Sequence, residues 1–335
     1  MRAQDTIAAI ATPPGVGGIA ILRLSGPEAE RILTALCGRA RWESHRLYYC
    51  RLRHAGRTLD EAMAVLMRAP RSYTRQDVAE IQCHGGEVVC RNVLEAALAL
   101  GARPAQPGEF TRRAFENGRI DLAQAEAAMR LIGAQGEAAA REALRQMEGS
   151  VSRGVHAACD RLNAMLSEIA ACTDFPDEIE EAPTARALCA QAKELAAALR
   201  AACDARRGRV LEQGLNVVLC GAPNVGKSSL LNALLGEARA IVTAQPGTTR
   251  DAVRGSLFLD GVRVHLTDTA GLRETEGEAE AIGVARAREA AEAADVLLLV
   301  LDGTRAPDAR ERELLAQTQR QVAFCLLYTS PSPRD

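Results

Sequence analysis

Gly221-Ala222-Pro223-Asn224-Val225-Gly226-Lys227-Ser228-Ser229 follows directly on the apolar run Leu215 to Cys220 and leads into a helical run, Ser229 to Leu235. The spacing is G-x-x-x-x-G-K-[ST]. Two glycines let successive backbone N–H groups turn inward around phosphates, the lysine reaches the β/γ oxygens, and the hydroxyl reaches Mg²⁺. Strand, loop and helix in this order make an α/β nucleotide-binding domain. Lysine occurs only at Lys193 and Lys227 in the whole chain, so one of the two sits where the bulkier, forked arginine could not substitute.

Two further pieces follow at the distances a GTPase requires. Gly247-Thr248-Thr249-Arg250-Asp251 lies in the loop after the helical run, where a threonine can close over a γ-phosphate and complete the Mg²⁺ shell. Asp268-Thr269-Ala270-Gly271 ends a strand and brings a carboxylate toward Mg²⁺ and a glycine N–H toward the γ-phosphate. Between them, Leu257 to Leu259 and Val262 to Leu266 flank Asp260-Gly261, a two-residue hairpin signal. Ala294 to Leu301 is a further apolar strand. Leu272 stands where Ras-like GTPases place a water-orienting glutamine, so catalysis needs another group. Glu274, Glu276, Glu278 and Glu280 follow, and for most of them the preferred reading is a solvated carboxylate at a helix start.

Upstream the texture changes. Thr6 to Ala11, Gly18 to Leu24, Arg46 to Leu52, Glu61 to Met67 and Val78 to Cys83 read as strands separated by Gly, Pro and short helical stretches. Apolar residues at Ala20, Ile21 and Leu22 obscure the period of the second strand, the pattern of a strand buried on both faces. This α+β domain spans residues 1–118. Residues 119–210 are rich in Ala, Glu, Arg, Leu and Gln with helical recurrence of apolar positions, and form a helical domain interrupted at Asp174-Phe175-Pro176-Asp177. Residues 211–324 form the α/β domain. A length of 335 residues agrees with more than one core.

The formal charge of −2 gives no global field for nucleic acid, so any RNA contact must come from a local patch or a partner. No secretory segment and no apolar run near 18 residues is present, which leads us to expect a cytoplasmic protein that does not enter a membrane. The ten cysteines form no C-x-x-C pair or zinc-like cluster and read as mostly buried, reduced thiols.

With these residues assembled, the chain resembles the MnmE (TrmE) family of tRNA-modification GTPases from residue 1 to about 324. In the first domain the likeness rests on Asp5 to Ala9, Ala11 to Gly15, Ile21 to Gly26, Tyr73-Thr74, His84-Gly85-Gly86 and Pro107-Gly108-Glu109-Phe110-Thr111. It continues through Asp121 to Ala127, Asp174 to Glu178 and the three nucleotide segments. The resemblance implies an N-terminal domain that forms a homodimer and holds a 5-formyltetrahydrofolate-like one-carbon donor. It further implies a GTPase domain inserted into a helical one. The implied partner is the flavoprotein MnmG (GidA), with which aminomethyl or carboxymethylaminomethyl groups are added to C5 of the wobble uridine of certain tRNAs.

Carried over residue by residue, the folate positions are Arg23, Glu80 and Arg119, the last an arginine where the family commonly has lysine. GTP falls to Asn224, Val225, Gly226, Lys227, Ser228 and Ser229, and to Thr243, Ala244, Gln245, Pro246, Gly247, Thr248 and Thr249. Asp268, Thr269, Ala270 and Gly271 complete that set. Ser228 and Thr249 would ligate Mg²⁺ with Asp268 in support. Asn224, Thr243, Gln245 and Thr248 would hold a K⁺ ion beside the phosphates, supplying positive charge where other GTPases use an arginine finger. Lys227, Asp268 and Glu280 are the expected catalytic groups, Glu280 positioning water in place of the missing glutamine.

The pattern departs from the family at its end. Guanine-reading Asn-Lys-x-Asp has no counterpart, because no lysine follows Lys227, and from Cys325 to Asp335 the text turns Ser/Pro-rich. We therefore expect residues 325–335 to be foreign, the GTPase domain to be incomplete, and guanine selectivity to be poor. Two other readings stay open at this point: an Era-like ribosome-assembly switch, and a folate-binding scaffold with a crippled nucleotide domain. The first 210 residues discriminate against the switch, which has no use for the Pro-Pro-Gly, His-Gly-Gly and Pro-Gly-Glu-Phe segments.

Overall fold

The computed structural model describes residues 5–175, 181–203, 205–222, 225–237, 254–268, 294–303, 305–307, 309, 311–312 and 321–327. The chain divides into two compact units, Met1–Glu126 and Ala127–Asp335.

The first unit contains β1 (Ile7–Ile10), β2 (Gly17–Ser25), α1 (Ala29–Cys37), β3 (Leu47–His54), β4 (Arg57–Met67) and β5 (Val78–Gly85). It continues with α2 (Glu87–Ala99), β6 (Arg103–Pro104) and α3 (Glu109–Glu116). The six strands form one sheet in the order β3-β4-β5-β2-β1-β6, antiparallel except for the β1–β6 pair. Helix α1 buries Ala29, Ile32, Leu33 and Leu36, the i, i+3, i+4, i+7 stripe of an amphipathic helix. It stops at Gly38, whose left-handed φ of 66° lets its N–H return to the Thr34 carbonyl. Helices α1 and α2 pack on one face of the sheet, over Leu22, Leu24, Leu52, Leu66 and Ile81. Each such side chain taken from water contributes about 1.5–3 kcal/mol.

The other face of this sheet is more open, which corrects the expectation for β2. Ala20, Leu22 and Leu24 are buried, whereas Ile21 and Arg23 are only half-buried and Ile19 is exposed. Side chains alternate across a strand, so Arg23 on β2 and Glu80 on β5 point away from the helices. Helix α3 is held by charge. Arg113, 1% exposed, donates to the Asp5 carbonyl at 2.9 Å, to Asp5 Oδ1 at 2.6 Å and to Glu109 Oε1 at 3.1 Å. Glu109 also accepts from Arg103 at 2.7 Å and from the Gln106 N–H at 2.8 Å.

Helix α4 (Leu122–Gly133) spans the boundary, and α5 (Glu137–Met147), α6 (Ser150–Asp174), α7 (Glu181–Ala202) and α8 (Ala205–Gln213) follow in the second unit. Helix α6 ends at Asp174, at the Asp-Phe-Pro-Asp break read from the sequence. Beside α7 it places Arg161 3.5 Å from Glu194. Next come β7 (Leu215–Cys220), α9 (Lys227–Glu237), β8 (Arg254–Leu259), β9 (Val262–Asp268), β10 (Val296–Asp302) and β11 (Gln321–Leu327). They build a sheet ordered β11-β10-β7-β9-β8, parallel except for the β8–β9 hairpin.

Strand β7 is buried on both sides. Val217 and Leu219 join the core that includes Leu231 of α9, while Val218 and Cys220 join Leu297, Leu299 and Leu301. That double burial explains its unbroken apolar run. The hairpin turn has positive φ at both central residues, 49° at Asp260 and 77° at Gly261, as a type I′ turn requires. Strand β11 pairs with β10 as far as Leu327, so it runs through position 325, where the change of composition begins.

The cysteines correct a second expectation. The nine whose side chains are described are free thiols, but only Cys50, Cys83 and Cys220 are buried, and Cys159, Cys189 and Cys203 are exposed on or beside the helices of the second unit. Alanine-rich helices with a narrow apolar stripe leave most of their surface, cysteines included, in water.

Candidate functional site

The phosphate loop lies between the C-terminal end of β7 and the N-terminus of α9, at the edge of the parallel strands where such sheets bind ligands. Gly221 starts it with φ +145°, and a Cβ there would lie 2.2 Å from the Val300 carbonyl oxygen. The first glycine of the motif is thus required by its contact with β10 as well as by its dihedral. Gly226 closes the loop, its carbonyl accepting from the Leu230 N–H at 2.9 Å as α9 begins. The helix therefore presents the positive end of its dipole to the loop.

Lys227 is 5% exposed and turns back over the loop. Its Nζ donates to the carbonyls of Gly221 at 3.1 Å and Ala222 at 2.6 Å. An ammonium held by its own loop is fixed in place before any phosphate arrives. Ser228 Oγ donates to Asp268 Oδ2 at 2.8 Å, and Asp268 is 2% exposed at the end of β9. Parallel pairing of β7 and β9 sets Leu219 opposite Asp268, which brings a carboxylate from forty residues away to the first turn of α9. A hydroxyl and a buried carboxylate are hard oxygen donors, the set that suits Mg²⁺.

Lys227, Ser228 and Asp268 are thus brought together. Val225, Gly226 and Ser229 stand in the same loop and first turn. Asn224, Thr243, Ala244, Gln245, Pro246, Gly247, Thr248, Thr249, Thr269, Ala270, Gly271 and Glu280 lie outside the described residues.

A second polar cluster occupies the open face of the first unit. Arg23 Nε donates to Glu80 Oε1 at 2.7 Å across the β2–β5 register, with side chains 29% and 18% exposed. The Arg23 guanidinium carbon lies 5.8 Å from the centre of the Tyr73 ring and 5.7 Å from that of Phe110. Arg119 approaches the same Tyr73 ring at 5.2 Å while donating to the Ser72 carbonyl at 2.7 Å. Arg23 and Arg119 therefore converge on one tyrosine, and Glu80 joins them through its ion pair with Arg23.

The Pro-Gly-Glu-Phe-Thr segment explains itself here. Glu109 points inward to the buried Arg113, Phe110 packs against Arg23, and Thr111 Oγ1 lies 3.0 Å from the Tyr73 hydroxyl. Tyr73 and Phe110 were not nominated as site residues by sequence reasoning. Their presence in the quoted segments was the available signal. The cluster combines a carboxylate, two guanidinium groups and two aromatic rings, which can pair with an amide-like heterocycle edge and stack on its face.

The first unit matches the family model described as "GTP-binding protein TrmE N-terminus" over residues 6–119, and the second matches "50S ribosome-binding GTPase" over residues 216–329. A protein of Geobacter metallireducens, named tRNA modification GTPase MnmE, is 48% identical over 340 residues, covering 99% of this chain and 74% of its own length. The protein of that name from Syntrophotalea carbinolica is 48% identical over 328 residues, covering 96% and 70%. Among solved structures, Aquifex aeolicus Era bound to GDP and AlF4⁻ is 31% identical over 33% of this chain and 39% of its own, with a TM-score of 0.26.

Proposed function

The chain belongs to the MnmE family of tRNA modification GTPases, and on that premise we propose that its two polar sites hold the two small-molecule reactants of wobble-uridine modification. The second unit hydrolyses GTP, and Ser228 and Thr249 would hold Mg²⁺ with Asp268 behind them. The observation that carries this is the 2.8 Å hydrogen bond between Ser228 and the buried Asp268. When bound, the ion neutralises charge developing on the β- and γ-phosphates. Lys227 supplies a fixed positive charge on the same side. Asn224, Thr243, Gln245 and Thr248 provide for K⁺, and Glu280 orients the attacking water.

The first unit holds the folate-type one-carbon donor at Arg23, Glu80 and Arg119. The half-buried ion pair and the Tyr73 and Phe110 rings support that reading, since a pterin offers both an edge for Glu80 and a face for an aromatic ring. The family's flavoprotein MnmG is the partner, tRNA enters in the joint complex, and the first unit mediates homodimerisation. No described helix is long and apolar enough to cross a membrane.

GTP hydrolysis measured against Mg²⁺ concentration tests the first site. Asp268→Asn should raise the half-saturating Mg²⁺ by at least about tenfold, the scale on which outer-shell partners of metals act. An unchanged Mg²⁺ curve with intact fold would remove Asp268 from the site. Replacing Na⁺ by K⁺ should accelerate hydrolysis, and Asn224→Ala should abolish that difference. Equal rates in the two salts would overturn the K⁺ assignment.

A further inference from the structure

Residues 38–57 hold six arginines against one glutamate, Glu43, in a chain whose formal charge is −2. Arg39, Arg41, Arg46, Arg51, Arg53 and Arg57 are all exposed. They line the α1–β3 loop, strand β3 and the start of β4. Strand β3 is the edge of the six-stranded sheet. Its burial alternates, with Cys50 and Leu52 inward and Tyr49, Arg51 and Arg53 outward.

The arginines are not equivalent. Arg46 is paired with Glu43 at 2.9 Å and Arg51 with Glu61 at 2.8 Å. Arg39 is positioned without being neutralised: its guanidinium lies 3.7 Å from the centre of the Tyr48 ring and its Nε donates to the Arg41 carbonyl at 2.9 Å. Arg41, Arg53 and Arg57 have no acidic partner among the described residues. Beside them the Tyr49 ring is 64% exposed.

We propose that this basic edge, carried by Arg39, Arg41, Arg53 and Arg57 with Tyr49 beside them, is a docking surface for the phosphate backbone of tRNA. Arginine's planar fork matches phosphate oxygens, and an exposed aromatic ring offers a stacking face to an unpaired base. The local patch is what a chain of net negative charge needs in order to meet RNA directly. Charged side chains along a sheet edge also discourage another protein's strand from adding there, which favours the polyanion over a strand-adding partner. The proposal rests on the reading that tRNA is handled by this protein.

The test is fluorescence anisotropy of a labelled tRNA transcript titrated with the full chain between about 50 and 200 mM KCl. The triple variant R41Q/R53Q/R57Q should weaken binding at least tenfold and lower the slope of log K against log salt by about three, roughly one per lost phosphate contact. The lysine variant R41K/R53K/R57K should keep most of the affinity and slope, and GTP hydrolysis should be unchanged in both. Equal tRNA binding by wild type and the glutamine variant overturns the surface and leaves the tRNA reading intact. Absence of binding by wild type at low salt overturns both. A glutamine variant that changes the oligomeric state in light scattering while binding tRNA as before shows that the edge is an interface between copies, and also overturns the proposal.

Discussion

Glu109 carries much of the charge that fixes the second polar cluster. Arg103 first, then the Gln106 N–H and Arg113, hold its carboxyl down at about 2, against an ordinary value of 4.5. A carboxylate with a depressed folded value contributes stability that is present above its unfolded value and lost as pH falls toward the folded one. The melting temperature of the first unit should therefore fall between about pH 4.5 and pH 2, and Glu109→Gln should flatten that limb when melting is followed by circular dichroism. Gly221 gives the sharpest steric prediction. With φ +145° and the Val300 oxygen 2.2 Å from any added Cβ, Gly221→Ala should cost on the order of 2–4 kcal/mol and remove nucleotide binding, as read by calorimetry. At this scale the sequence was informative where chemistry demands a spacing: Lys227 and Ser228 follow from the motif, and Asp268 from its order behind it. Tyr73 and Phe110 were not legible as site residues, because their convergence on Arg23 depends on how α3 is pinned by Arg113, a contact that no local spacing encodes.

Among the elements, the β8–β9 hairpin was the most legible, since Asp-Gly between two apolar runs names its own turn. Gly261 does more than turn: its carbonyl accepts the Ala138 N–H at 3.0 Å, in the first turn of α5. Gly261→Ala combines positive φ with a Cβ 3.1 Å from that nitrogen, so it should destabilise the second unit by about 1–2 kcal/mol in urea unfolding. Strand β2 was harder to read than β7, although both look continuously apolar in part. Ala20 to Leu22 carry no polar residue to mark a face, and only the placement of α1 and α2 on one side decides that Ile21 and Arg23 look outward. For β7 the same apolar texture is real double burial, so Leu219→Ala at 0% exposure should cost about 2–5 kcal/mol.

For the molecule as a whole, two compact units with separate cores predict separable unfolding. A non-hydrolysable GTP analogue with Mg²⁺ should raise the transition of the second unit alone, because a ligand stabilises what it binds. Leu22→Ala should lower only the other transition, and a single shared transition that moves in both experiments would show the units to be coupled. The near absence of lysine has one last, practical consequence. Lys193 is exposed and Lys227 is 5% exposed beneath its own carbonyls, so an amine-selective reagent meets one open and one guarded side-chain amine in the entire chain. Acylation at Lys193 is then an internal clock, and acylation at Lys227, read against it in the same digest, reports how often the nucleotide cradle opens.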